Sequence, residues 1–212
     1  MKNRSKIDKL TMPYYIRQNL ELILGSNRRT LDYRISKLIA DGTLEKIKPG
    51  FYLNRSLFSQ TTQKEAFLEY VGGIAKYPSY VSLEYALSKY GLIPESIYTI
   101  TYITTKKTGE YASGNFSFRY RNIKPELFKD YEERNFGNGK YLFAKKSKAL
   151  FDFIYLTSLR TKNDFEELLF NSRINWNSLS QEDKSDFVNI CVDSKSKKME
   201  RVIKLLVKEK LL

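Results

Sequence analysis

The 212-residue sequence contains no histidine and a single cysteine, Cys191. Without histidine there is no Ser-His-Asp or Cys-His catalytic set, and one cysteine cannot complete a zinc site of the Cys/His type. That cysteine also has no partner for an internal disulfide, which favours a reducing cytoplasm. No apolar run approaches the roughly 20 residues that span a bilayer. We therefore expect a cytoplasmic protein with no membrane partner, no metal and no cofactor.

What the sequence does contain is apolar residues, aromatic rings and positive charge. Apolar residues make up 42% of the chain and Phe, Trp and Tyr 14%, enough for a folded core. The net charge is +13, of which +7 lies in residues 1–58 and +6 in the remaining 154 residues. This asymmetry favours a compact basic module at the N-terminal end that binds a polyanionic partner. Solvent-exposed lysine is the alternative explanation of the positive charge.

Residues 15–24 and 30–41 each carry apolar side chains at helical spacing. Gly25 follows the first pattern as a stop signal, and Ser26 or Asn27 can cap the second helix. We therefore predict two helices joined by a tight three-residue connection. Such a connection is typical of a helix-turn-helix.

A further short helix is predicted over residues 5–10, before this pair. After the pair, Lys48-Pro49-Gly50 stands between two β-prone runs, a pattern typical of a hairpin with a tight turn. This order of helices and hairpin predicts a winged helix-turn-helix domain over residues 1–58, with 54–60 as a linker.

The second predicted helix has a basic face opposite its apolar stripe. An α-helix fits the major groove of DNA, where arginine can bind guanine and other side chains can contact bases or phosphates. The hairpin tip would approach the neighbouring backbone or minor groove. Asp32 and Asp41 argue against this interface, since each would repel phosphate if it faced the duplex. The candidate DNA-contacting residues are Arg17, Arg28, Arg29, Thr30, Tyr33, Arg34, Lys37, Lys46 and Lys48.

Residues 61–212 mix helical and β patterns, so we predict an α+β domain there. Strands are predicted over 98–105 and 115–123, joined by a turn at 110–114 and paired as a hairpin. The predicted helices cover residues 61–75, 81–90, 145–159, 164–170, 181–191 and 195–211.

Basic residues in this second region form a second candidate surface, for nucleic acid, a nucleotide or a protein. Ordinary solvent-exposed charge is the alternative. Lys148 and Asp152 are interpreted as an i,i+4 salt bridge worth a few tenths of a kcal/mol. The acids between residues 126 and 133 are interpreted as an exposed patch. The candidate surface comprises Lys106, Lys107, Arg119, Arg121, Lys145 and Lys146.

Several short segments between residues 10 and 160 occur in a distinctive order. They include Leu31-Asp32-Tyr33, Pro49-Gly50-Phe51-Tyr52, Tyr80-Val-Ser-Leu-Glu84, Gly91-Leu-Ile-Pro94, Thr104-Thr-Lys-Lys107 and Lys148-Ala-Leu150. In this order the segments resemble AbiEi-type antitoxins, which belong to the type IV toxin–antitoxin systems of bacterial abortive infection. Residues 161–212 take no part in the resemblance.

The resemblance implies two activities and no enzyme. The winged helix would repress its own operon by binding inverted repeats in double-stranded promoter DNA. The C-terminal domain, through the second basic surface, would counteract a nucleotidyltransferase-like toxin, and a stable complex with that toxin is not required.

Two alternatives stay open. One is a winged-helix transcription factor with a ligand-sensing or dimerising C-terminal domain. The other is a magnesium-dependent nuclease that uses Glu84, Glu110 or Glu126 together with Lys106. A kinase-like activity is disfavoured because the sequence has no Gly-rich phosphate loop.

Overall fold

A computed structural model describes residues 10–25, 27–114 and 116–212 and shows an α+β fold, as predicted. Its helices are α1 (Arg17–Leu24), α2 (Arg28–Ala40), α3 (Arg55–Gln60), α4 (Lys64–Ala75), α5 (Leu83–Lys89), α6 (Lys146–Leu156), α7 (Lys162–Glu166), α8 (Gln181–Asp193) and α9 (Lys197–Lys208). Its strands are β1 (Tyr14–Ile16), β2 (Leu44–Lys48), β3 (Phe51–Asn54), β4 (Ser79–Val81), β5 (Ile100–Thr104), β6 (Gly109–Ser113), β7 (Phe116–Asn122), β8 (Tyr131–Phe136) and β9 (Gly139–Ala144).

The front of the chain contains α1, α2 and a three-stranded antiparallel sheet in the order β1-β3-β2. The two predicted helices and the hairpin are confirmed, whereas strand β1 was not predicted. The short helix predicted over 5–10 falls, apart from Leu10, outside the described residues. Whether this arrangement works as a winged helix-turn-helix stays a prediction. The small core of this part comprises Tyr15, Leu20, Leu24, Leu31, Ile35, Leu38, Leu44 and Tyr52.

The linker predicted over residues 54–60 is wrong, because Asn54 ends β3 and residues 55–60 form α3. The side chain of Asn54 accepts a hydrogen bond from the backbone N–H of Leu57 at 3.0 Å and so caps the helix. Leu57 and Phe58 then pack against the larger core. The polar composition of this segment concealed both the cap and the apolar contacts.

The second sheet has six strands in the order β6-β7-β5-β4-β9-β8. The predicted hairpin between 98–105 and 115–123 is wrong, since β5 and β7 pair in parallel. Residues 110–114 are not simply a turn, because most of them belong to β6, which pairs antiparallel with β7. Gly114, with φ of 52°, ends this strand. The reversal of the chain therefore begins later than the sequence suggested.

The helices predicted in the second region are confirmed with altered ends. Val81, the first residue of the helix predicted over 81–90, belongs to strand β4, and residues 167–171 continue α7 as a π-helical turn. Strands β8 and β9 were not predicted, and in β8 the many charged and polar residues conceal the alternation. Among the described residues, no helix is long and apolar enough to cross a membrane.

Strand β3 is buried on both faces and takes part in two cores. Tyr52 belongs to the small core at the front, whereas Phe51 and Leu53 belong to the larger core. Ile47 of β2 also joins the larger core. The domain boundary at residue 58 stays a prediction, and the larger core extends across it.

Cys191 lies on α8 and is fully buried, and burial raises the pKa of its thiol. Because the thiolate is the reactive form, we expect native protein to react with a thiol reagent such as DTNB at least about 100-fold more slowly than unfolded protein. A thiol titration with and without guanidinium chloride measures this ratio. Equal rates would show that α8 opens readily in the native state.

Candidate nucleic-acid interface

Helix α2 is fixed in place by its cap and its apolar stripe. The side chain of Asn27 accepts a hydrogen bond from the backbone N–H of Thr30 at 3.0 Å, so Asn27 is the N-cap. On one side of the helix, Leu31, Ile35 and Leu38 are buried in the small core. The opposite side therefore faces solvent.

The solvent face of α2 presents the basic and aromatic groups that the sequence predicted. Arg29, Tyr33 and Lys37 are exposed and lie at i, i+4 and i+8, so they form one row along the helix. Tyr33 is 70% exposed. Arg28 is exposed beside the start of this row. Within the described part of the chain, Arg28, Arg29 and Lys37 make no ion pair.

Asp32 lies on the same helix but is paired with a cation. Its carboxylate accepts a hydrogen bond from the Arg17 guanidinium at 2.5 Å, and this bond lowers the pKa of Asp32. One of the two acids that argued against a phosphate-binding face, Asp32, is therefore paired with a cation, whereas Asp41 accepts a hydrogen bond from the backbone N–H of Thr43 at 3.0 Å. In the same contact, Arg17 is tied to α2, so the structure places it in an ion pair rather than as a free phosphate ligand.

Arg34 and Thr30 have structural partners. The Arg34 guanidinium donates hydrogen bonds to the backbone carbonyls of Leu24 and Gly25, the latter at 3.1 Å. It therefore satisfies carbonyls at the end of α1 and fixes the connection to α2. Thr30 is half-buried and donates its backbone N–H to the cap. The Arg34 contacts cannot be read from helical spacing, because they depend on the turn geometry. The Asn27 cap, in contrast, is one of the two caps predicted from the sequence for this helix.

The two lysines of the hairpin point to different environments. Lys46 is exposed, and the pairing of β2 with β3 shifts register between Lys46 and Lys48. Lys48 is half-buried, donates a hydrogen bond to the Ala75 carbonyl and lies 5.4 Å from the ring centroid of Tyr111. Of the two lysines, Lys46 is therefore exposed to solvent, while Lys48 contacts the second region.

The basic residues predicted for a second surface do not all share one role. Arg119 pairs with Glu110 at 3.2 Å, and Arg121 donates to the Leu156 carbonyl at 3.2 Å. Lys146 donates to Asp183 and to the Ser178 carbonyl, each at 3.2 Å. These three side chains hold elements of the fold together.

The other members of that set, Lys106, Lys107 and Lys145, are exposed and make no ion pair within the described residues. Lys106 and Lys107 lie in the connection from β5 to β6, whereas Lys145 precedes α6. The strand pairing explains why Arg119 does not share a surface with Lys106 and Lys107. Because β5 and β7 are parallel, Arg119 lies opposite Thr101.

Two of the acids named for the nuclease alternative lie in different surroundings. Glu110 is bound to Arg119 and to the Ser117 hydroxyl, and Glu126 lies in a separate 3₁₀ turn. In residues 10–25, 27–114 and 116–212, no group of three acidic or cysteine side chains has the proximity of a metal site.

The i,i+4 salt bridge predicted between Lys148 and Asp152 is confirmed, but its interpretation as a weak pair worth a few tenths of a kcal/mol is wrong because the pair is buried. Both side chains are 0% exposed, with Lys148 Nζ 2.7 Å from Asp152 Oδ1. The second carboxylate oxygen accepts hydrogen bonds from the hydroxyls of Tyr80 at 3.0 Å and Ser82 at 2.8 Å. This buried network joins α6 to β4, and the spacing in the sequence gave no sign of its burial.

A second buried carboxylate, Glu69 on α4, also escaped the sequence. Its two oxygens accept hydrogen bonds from the hydroxyls of Tyr85 at 2.8 Å and Tyr141 at 2.7 Å. Like the Lys148–Asp152 pair, it is closed off from solvent. Both networks are buried among residues of the larger core and are not exposed to solvent.

No known protein-family profile matches the chain, and no curated protein sequence matches it. The resemblance to AbiEi-type antitoxins therefore stays a prediction based on the sequence segments alone.

Proposed function

We propose that this protein binds double-stranded DNA through the solvent face of α2, with Lys46 of the hairpin contacting the adjacent backbone. The observation that supports the proposal is the exposed row of Arg29, Tyr33 and Lys37, with Arg28 beside it. An α-helix with such a row fits a major groove, where arginine recognises guanine and lysine binds phosphate.

The position of the arginines adds an energetic argument. Arg28 and Arg29 are the first two residues of α2, whose first turn contains no acid. The helix dipole disfavours positive charge there by about 0.3–1 kcal/mol per residue. Both arginines are therefore unfavourable for the isolated helix, whereas an anionic phosphate at the same place would interact well with the arginines and with the helix end.

The proposal extends to autorepression and antitoxin activity only through the resemblance. As such an antitoxin, the protein would bind inverted repeats in its own promoter and counteract a nucleotidyltransferase-like toxin. Co-expression with the neighbouring toxin gene tests the second activity. Rescue of growth would support an antitoxin, whereas repression without rescue would leave a DNA-binding regulator.

The direct test is the salt dependence of binding to a fluorescent duplex taken from the region upstream of the gene. We expect the logarithm of the association constant to fall linearly with the logarithm of salt concentration. About three to five phosphate contacts give a slope of about −3 to −4.5. Fluorescence anisotropy titrations at about 50 to 250 mM salt, a range in which such losses of affinity are large, measure the slope. Affinity that hardly changed with salt would contradict phosphate contacts.

A further inference from the structure

Four lysines meet where the front of the chain contacts the second region. They are Lys48 at the end of β2, Lys76 after α4, and Lys106 and Lys107 between β5 and β6. Strand β2 packs against β6 at this junction. We call these four residues the lysine cluster.

Two members of the lysine cluster, Lys48 and Lys76, contact the aromatic ring of Tyr111 on β6. The ammonium groups of Lys48 and Lys76 each lie 5.4 Å from its centroid. Lys76 also lies 5.2 Å from the centroid of Tyr120 and donates a hydrogen bond to the Lys107 carbonyl at 2.7 Å. The Lys76 side chain is therefore bound to the connection between β5 and β6, which also carries Lys106 and Lys107.

The positive charge of the lysine cluster is uncompensated in the described part of the chain. None of its members makes an ion pair there. Burial, and then repulsion from neighbouring lysines, lowers the pKa of Lys48 and of Lys76. The nearby Glu110 is paired with Arg119 instead.

Helix capping explains only part of this arrangement. Lys48 donates to the Ala75 carbonyl at the end of α4, and a cation is favourable at a helix C-terminus. Lys106 and Lys107 are exposed and have no such partner among the described residues. Lys106 and Lys107 therefore add two positive charges that helix capping does not explain.

We propose that the lysine cluster binds phosphoryl groups. Lysine ammonium groups are common phosphate ligands, and several converging on one place favour an anion with more than one negative charge. The phosphoryl group could belong to a nucleic-acid backbone or to a small phosphate ligand. This inference does not depend on DNA binding by α2, because the two sites share no residue.

Pyrophosphate is the probe for the small-ligand source. At ten times its Kd, it should raise the Tm of the wild-type protein by about 3–5 °C, relative to sodium chloride of equal ionic strength. In the variant Lys106→Ala/Lys107→Ala the rise should fall below about 1 °C, because both exposed ligands are lost. The matched control is Lys204→Ala/Lys208→Ala, which removes two exposed lysines from α9 and should keep the wild-type rise.

A duplex is the probe for the nucleic-acid source. If the cluster contacts the backbone, Lys106→Ala/Lys107→Ala should weaken binding equally for all sequences and reduce the salt slope by about 2. The control variant should leave the slope unchanged. An effect with pyrophosphate alone assigns the site to a small phosphate ligand.

The proposal is overturned if Lys106→Ala/Lys107→Ala behaves like the control variant with both probes, or if neither probe acts on the wild-type protein. Its failure is distinct from failure of DNA binding by α2. The pyrophosphate measurement uses no DNA, and variants of Arg28 and Arg29 leave all four lysines in place.

Discussion

Replacement of Arg28 and Arg29 by glutamine should reduce affinity for the promoter duplex by at least about 30-fold at fixed salt. Both side chains are exposed at the start of α2. A groove or phosphate contact from each arginine is worth about 1–3 kcal/mol, so two contacts give at least this loss. Anisotropy titrations of the wild-type protein and of Arg28→Gln/Arg29→Gln measure the ratio directly.

The same variant should keep or slightly increase its folding stability. Removal of two positive charges from the first turn of α2 relieves their interaction with the helix dipole, by up to about 1 kcal/mol each. The control Lys204→Gln/Lys208→Gln removes the same charge from exposed positions on α9. Equal loss of DNA affinity in the two variants would show that net charge alone attracts the duplex, and α2 would then have no special role.

Substitution of Lys148 by methionine should destabilise the protein by about 3–5 kcal/mol. The expected cause is the Asp152 carboxylate, which would remain 0% exposed without its cation. The hydroxyls of Tyr80 and Ser82 would still donate to it but carry no positive charge. Urea unfolding followed by circular dichroism measures the change in the free energy of unfolding.

The chain contains a matched control for this prediction. Lys162 and Glu166 form an i,i+4 pair at 3.3 Å with side chains 77% and 44% exposed. Lys162→Met should therefore change stability by less than about 0.5 kcal/mol. The double variant Lys148→Met/Asp152→Asn should recover part of the lost stability. The amide oxygen introduced at position 152 still accepts hydrogen bonds from the hydroxyls of Tyr80 and Ser82 and carries no charge. A small loss for Lys148→Met, comparable with that for Lys162→Met, would contradict the role assigned to burial.

The sequence predicted the parts of the fold that depend on local spacing. The apolar stripe of α2 and the Pro49-Gly50 turn follow from periodicity and turn chemistry, and both are confirmed. The parallel pairing of β5 with β7 depends on distant segments, so no local pattern reveals it. The linker assigned to 54–60 was wrong because a side-chain cap and tertiary packing create α3.

The same distinction applies to the candidate site. The exposure of Arg29, Tyr33 and Lys37 follows directly from the position of the buried stripe on the same helix. The partners of Arg34 and Lys48 lie elsewhere in the chain, so their spacing could not reveal them. Lys76 was missed as well, since it belongs to no periodic pattern and acquires its neighbours only through tertiary structure.

Truncation would be a poor way to study DNA recognition by this protein. A fragment ending at residue 58 would lose the partners that cover Ile47, Phe51 and Leu53. Three large apolar side chains would then be exposed to water on one sheet, which favours aggregation. Failure of such a fragment to bind a promoter would report insolubility rather than the chemistry of α2. Point substitutions in the 212-residue chain avoid this confusion.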